Sequence, residues 1–333
     1  MALQLPTTST SGCSSKIRAS DLSFLLGVSG NNLYQTLAKD CGRVNKARQL
    51  YSTIDTISPI TRDPDIFARI ALCHAVSDLY AAGARPLSAC MSIGLTNTVI
   101  RNGDGTRIIN AMNRGLASLD IKLSKAHSYL SEETHLTLAL IGSSPKPLGS
   151  LRKKARYALV LSKELGGATA CHESWLLDKR NIVDASEKLM TQDHASLLSI
   201  IRNSCSVGTT DISGFGLLGH IAILAFSQQC GITIDYSSIP FFEGLDELTL
   251  RNPRSCSAQR NEEDFEDKLR WKVSLSERDK GRLFAAETAG PIAFIVPIGL
   301  AGRFIRRLHS KGFTKSKVIG SLIKSDNPFV EVT

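Results

Sequence analysis

TTDISGFGLLGH, Thr209 to His220, joins an acidic residue to three closely spaced glycines and then runs into an apolar stretch. Gly214, Gly216 and Gly219 carry no Cβ, so the backbone can approach a ligand, and a helix opening there turns its unpaired amide groups toward an anion. Asp211 stands where a cation beside that anion would be held. The spacing also satisfies G-x-G-x-x-G, with Asp235 21 residues after Gly214, as in a dinucleotide fingerprint. That fingerprint needs a buried strand running into the first glycine. Arg202 to Ser213 is polar instead, with one Val and one Ile among Asn, Ser, Thr and Asp, so the phosphate-loop reading is preferred. A plainer alternative stays open, in which the glycines serve only a tight turn and close helix packing.

The 333 residues suffice for two domains, and 42% hydrophobic with 21% charged residues is the composition of a globular protein. Forty basic against 31 acidic residues leave a formal charge of +9, which suits an anionic small substrate as readily as a nucleic acid. The basic residues are dispersed and aromatics are 6%, a poor supply for a base-stacking surface, so no nucleic-acid partner is expected. Eight cysteines without a C-x-x-C pair point to free thiols in a reducing compartment. No apolar run reaches the ~18 residues of a membrane span, and the N-terminus lacks signal-peptide regions; a cytoplasmic protein with no membrane partner is expected.

Around the glycine segment, both halves read as mixed α and β, an α/β chain of α+β type. Residues 1–49 are expected to form a mobile arm, Ser/Thr-rich over its first 15 or so residues. Residues 50–145 form an N-terminal domain: strand Leu50 to Ile57, helix Asp65 to Gly83, strand Leu87 to Gly94, helix Gly103 to Leu119 and strand Leu136 to Ile141. Ser143 to Ser150, SSPKPLGS, is the candidate linker. Residues 151–333 form a C-terminal domain: strand Tyr157 to Ser162, helix Ala195 to Arg202, helix Leu217 to Gln229 stopped by Gly231, strand Ile232 to Tyr236, strand Ala289 to Pro297 and a final helix Leu300 to Lys311. Asp63 followed by Pro64 is explained as an N-cap before a proline at the first helical position, and Asp65 is assigned no site role.

Further segments, in the same order along the chain, resemble the selenophosphate synthetase (selenide, water dikinase) family of the aminoimidazole-ribonucleotide-synthetase-like ATP-binding superfamily. Gly12-Cys13-Ser14-Ser15-Lys16-Ile17 is similar to its glycine, cysteine, two residues, lysine motif. Ser52 to Gly83, STIDTISPITRDPDIFARIALCHAVSDLYAAG, is similar to its T-x-D, P-I, D-P, F-x-R-I and S-D-x-Y-A-x-G series. Arg260-Asn261 and Glu287-Thr288-Ala289-Gly290 match weaker positions. The Cys13 and Lys16 pair narrows the resemblance from the superfamily to selenophosphate synthesis.

The resemblance implies transfer of phosphate from ATP to selenide, with water consumed and AMP and orthophosphate released. It implies a homodimer, its N-terminal sheet domain forming the dimer and ATP lying between the two domains. Mg²⁺ would be held by carboxylates. Asp55, Asp78 and Asp211 align with metal or ATP ligands; either Asp40 or Cys41 fills a further ligand position. Lys16 would neutralise phosphate, and the Cys13 thiolate would handle the selenium nucleophile. Gly214, Gly216 and His127 fall among nucleotide contacts, His127 across the dimer. From the residues alone, Asp55 also reads as a turn former and Asp78 as a capping or salt-bridged residue. Several positions depart from the family pattern: Asp40-Cys41-Gly42-Arg43-Val44 replaces paired aspartates, Lys125-Ala126-His127 a Gly-Gly-His turn, His74 an asparagine, and Thr288-Ala289-Gly290-Pro291 a T-S-G-G turn. A non-catalytic nucleotide-binding paralogue, and a superfamily kinase with another acceptor, are the alternatives. His74 and His127, 53 residues apart, make a poor zinc pair, and His74 and His220 are expected to pack rather than react.

Overall fold

The computed structural model describes residues 12, 16–45, 49–145, 148–152, 155–203, 207–248 and 255–333. Five strands, β1 (Gly42–Asn45), β2 (Leu50–Ile57), β3 (Arg85–Leu95), β4 (Lys122–Leu130) and β5 (His135–Ser143), form one sheet in the order β1-β2-β5-β3-β4, parallel only between β3 and β4. The helices of this half are α1 (Ala19–Leu26), α2 (Gly30–Leu37), α3 (Pro64–Ala81), α4 (Asn97–Arg101) and α5 (Asp104–Ser118). Seven strands, β6 (Arg156–Leu161), β7 (Gly208–Asp211), β8 (Cys230–Ile234), β9 (Leu269–Trp271), β10 (Ile292–Pro297), β11 (Lys317–Lys324) and β12 (Phe329–Val332), form the second sheet in the order β7-β10-β6-β11-β8-β12-β9. Its helices are α6 (Gly167–Leu176), α7 (Arg180–Met190), α8 (Leu198–Asn203), α9 (Gly216–Gln228), α10 (Cys256–Phe265), α11 (Glu277–Phe284) and α12 (Ala301–His309). Both halves are mixed α and β, as the sequence patterns indicate.

Helix α3 positions the site. The Asp63 carboxylate accepts the amide hydrogens of Asp65 and Ile66 at 2.8 and 3.0 Å, and Pro64 opens the helix. Gly83, at φ 69°, turns the chain out after its end. Fourteen of its 18 residues are buried, so the helix has almost no solvent face and must lie between layers. One apolar core runs from Leu138 and Leu140 of β5 through Ile70 and Val76 of α3 to Val160 and Phe294 of the second sheet. A second core covers the opposite face of that sheet, with Leu159, Leu161 and Ile295 packed by Leu218 and Ile221 of α9. β6 is thus apolar on both faces, which is why its sequence shows no alternation.

The structure differs from the sequence reading at several places. A strand, β7, leads into the glycine segment where none is expected. It is four residues long, pairs antiparallel with β10 and stands at the sheet edge; a dinucleotide fold would need a parallel strand there, so that reading stays excluded. β7 is held by pairing and by its hydroxyls: Thr209 donates to the Ala81 carbonyl and Thr210 to Asp40. Gln229 at φ 51°, rather than Gly231, ends α9. The chain after α12 forms β11 and β12. Ahead of Leu50, β1 joins the first sheet, and α2 packs on α9 with Tyr34 stacked on Phe226 at 4.9 Å. Among the described residues no helix is long and apolar enough to cross a membrane.

Candidate active site

Three acidic residues from distant parts of the chain meet at one cleft. Asp78 projects from the last turn of α3, Asp211 ends β7, and Asp40 lies between α2 and β1. One carboxylate oxygen from each lies within 4.8 Å of the other two. Local chemistry aims two of them. The Thr53 hydroxyl donates to Asp78 Oδ2, and that of Thr210 donates to Asp40 Oδ1 at 3.1 Å. Thr53 and Asp55, two residues apart on β2, share a face of the sheet, so Asp55 opens into the same cleft, of about 340 Å³. Lys16, Cys41, Ser213 and His220 also line it, and Lys16 Nζ sits 4.6 Å over the Phe215 ring.

The electrostatics are those of crowded acids. Burial, reinforced by the Asp211 charge, holds the Asp40 and Asp78 carboxyls well above their usual range, while the Thr210 and Thr53 hydroxyls pull the other way. Asp211 is raised by burial, with the nearby Lys16 charge pulling the other way. Burial pushes the Cys41 thiol up and out of the range in which it ionises, and a neutral thiol is a poor ligand for a hard cation. Burial, with Lys16 nearby, pulls the His220 imidazole well down. Its Nε2 accepts the Ser213 amide hydrogen at 3.2 Å, so this ring packs as a neutral acceptor.

Of the residues singled out from sequence, Lys16, Asp40, Asp55, Asp78 and Asp211 come together here. It is the Asp40 carboxylate, not the Cys41 thiol, that joins the cluster. Cys13 lies outside the described residues. His127 is exposed on β4, separated from β2 by β5 and β3, a lateral offset of ~14 Å at the usual strand spacing; it does not line the cleft. Gly216 takes φ 66°, and a Cβ there would meet the Phe284 backbone at 2.6 Å, while one at Gly219 would meet Phe215 and Phe265. The Gly214 carbonyl accepts from the Asn261 amide at 3.0 Å. Turn geometry and close packing therefore account for the missing side chains of Gly216 and Gly219. Thr53 and Thr210 were not picked out from the sequence as site residues, although the period-two spacing of Thr53 and Asp55 is a signal for the first.

The cluster suits a hard divalent cation: every converging donor is a carboxylate oxygen, and Asp55 Oδ2 is buried without a hydrogen-bond partner among the described residues. Asp40, Asp78 and Asp211, with Asp55 beside them, are the residues that would hold Mg²⁺.

The curated selenide, water dikinase of Caldanaerobacter subterraneus subsp. tengcongensis is 29% identical over 287 residues, 81% of this chain and 78% of that protein. That of Pseudomonas straminea is 28% identical over 287 residues, 84% of this chain and 79% of that protein. A solved structure described as AaThiL complexed with AMPPCP and TMP superposes with a TM-score of 0.66 at 18% identity, covering 96% of each chain. Escherichia coli HypE does so with a TM-score of 0.61 at 16% identity, covering 91% of this chain and 92% of the other; at such identities the likeness shows the fold alone. The family models for the N-terminal and C-terminal domains of AIR synthase related protein match residues 38–143 and 157–333, and the chain belongs to that family.

Proposed function

We propose that the chain is an ATP-dependent phosphotransferase of the selenide, water dikinase type, converting ATP, selenide and water to selenophosphate, AMP and orthophosphate. The observation that carries this reading is the convergence of Asp40, Asp78 and Asp211 beside Lys16 and Asp55, in a cleft built from the first sheet, α3 and the edge of the second sheet. The relatives' names and the Cys13 to Lys16 motif support the acceptor. Mg²⁺, when bound, supplies the positive charge that neutralises polyphosphate oxygens. The chain's own residues do the rest. The four carboxylates fix where the polyphosphate lies, and the Thr53 and Thr210 hydroxyls keep two of them aimed. Lys16, exposed at the mouth, meets phosphate oxygens as a cation. Cys13, three residues away, handles the selenium nucleophile.

A homodimer fits the same reading. Val44, Ile54, Leu87 and Ile141 are exposed large apolar residues on strands of the first sheet, and a second copy covering this sheet would bury them. His127 enters the reading only through such a dimer. The protein is read as cytoplasmic, its thiols reduced: Cys41, Cys73, Cys90, Cys171 and Cys230 are all free.

Phosphorus NMR of an anaerobic mixture of ATP, Mg²⁺ and selenide tests the function. Selenophosphate, AMP and orthophosphate in equal amounts are expected. ADP as product would show a kinase with another acceptor, and nucleotide binding without turnover a non-catalytic paralogue. Cys13→Ser is expected to abolish selenophosphate formation; unchanged product would remove Cys13 from the reaction.

A further inference from the structure

His74 lies on α3, 4% exposed, one turn before Asp78. The Ala289 amide donates to its Nδ1 at 3.3 Å. A ring nitrogen that accepts carries no proton, so in the neutral ring the hydrogen sits on Nε2. That atom lies 3.8 Å from Asp55 Oδ1, an electrostatic contact that becomes a hydrogen bond with a shift of about 0.9 Å.

The donor is unusually well fixed. Ala289 adopts φ 50°, a left-handed conformation that a residue with a Cβ avoids unless its surroundings impose it. They do so here. The Glu287 amide donates to the Ser213 carbonyl at 3.0 Å and that of Ile212 to Pro291 at 2.8 Å. The Glu287 carboxylate accepts the Gly166 amide at the start of α6, and any Cβ on Gly290 would collide with the Ile212 carbonyl. The loop is pinned on both sides, and its one strained residue presents an N–H to the imidazole.

We propose that His74 is a positioning residue for the cation site: the Ala289 amide locks its tautomer, and its Nε2–H orients the Asp55 carboxylate beside Asp40, Asp78 and Asp211. The role rests on the reading of this cleft as a cation site. Imidazole offers one acceptor and one donor on opposite edges and so bridges the loop to β2. Partners of this kind, acting through a ligand rather than on the metal, typically set metal affinity by about 10- to 100-fold.

The test uses Mn²⁺ as probe, its free concentration read by electron paramagnetic resonance, on the full-length chain without selenide. His74→Leu is expected to weaken binding about 10- to 100-fold. His74→Asn is expected to keep it near the unaltered value, because the amide oxygen accepts from Ala289 and the amide nitrogen donates to Asp55. Equal affinity in all three proteins would overturn the proposal, as would an equal loss in both variants. Should His74→Leu fail to fold, nitrogen-15 NMR of the histidine-labelled unaltered protein decides: a proton on Nε2 is expected, and one on Nδ1 overturns the tautomer lock. An unaltered protein that binds no Mn²⁺ would overturn the cation site itself, a separate result from loss of the His74 effect alone.

Discussion

Asp211→Asn is expected to make the metal-free protein more stable and blind to magnesium. The three carboxylate oxygens lie within 4.8 Å of one another, and two unit charges at that distance repel by about 3 kcal/mol at an effective dielectric of 20. Burial raises all three carboxyls, and at Asp40 and Asp78 the Asp211 charge adds to it, so the metal-free cluster takes up protons instead of bearing the full repulsion. The full repulsion is therefore the upper bound on the relief, up to about 3 kcal/mol. At roughly 2 °C per kcal/mol this raises the metal-free thermal midpoint by up to roughly 6 °C. Mg²⁺ at 100 times its dissociation constant stabilises the unaltered protein by about 2.7 kcal/mol, or about 5 °C, through mass action. The variant forfeits that gain. Thermal unfolding followed by circular dichroism, in chelator and in excess Mg²⁺, measures both quantities. A variant less stable than the unaltered protein in chelator, or one that gains as much from Mg²⁺, would refute the idea that these carboxylates repel one another until a cation joins them.

Mg²⁺ binding near pH 7 is expected to release protons from the raised carboxyls; calorimetry in buffers of different ionisation enthalpy reads this, and buffer-independent heats would contradict it. Glu287 is 2% exposed, and burial pushes its carboxyl up to about 7 against the opposing Gly166 and Ala168 amides. Its contribution is therefore fully present below about pH 4.5 and lost as pH rises through about 7, by up to ~3 kcal/mol. Glu287→Gln is accordingly expected to lose less stability than the unaltered protein between pH 5 and 8, and parallel profiles would count against it. Gly216→Ala places a Cβ against the Phe284 backbone at a positive φ; a loss of about 3 kcal/mol or more is expected in denaturant unfolding. Ile54→Lys puts a charge on the exposed face of the first sheet and is expected to yield monomers by light scattering, with the Mg²⁺-dependent rise in thermal midpoint retained.

Much of the fold was legible because its signals are local. Asp63-Pro64 starts α3 through hydrogen bonds to the next two or three residues, and the apolar run Tyr157 to Leu161 marks a strand buried on both faces. Where signals were weak the reading missed elements: β4 is exposed along almost its whole length, so its composition carries no burial pattern, and β7 is held by threonine hydroxyls rather than apolar packing. For the glycine segment, residue type alone left two readings open, because a glycine required by a ligand and one required by a neighbouring helix are the same letter. Only the packed structure shows Phe284 and Phe265 occupying the space a side chain would take at Gly216 and Gly219.

The sequence by itself determined the mixed α/β class, the acidic residues worth watching and the segments by which the family is recognised, since each depends on a few neighbouring residues. Tertiary structure alone decided which of those residues form one site. Asp40 meets Thr210 across 170 residues of chain, and Glu287 reaches Gly166 across 121. Such meetings follow from how α3 is buried between two sheets. No spacing in the sequence records that burial, because it is a property of the whole core.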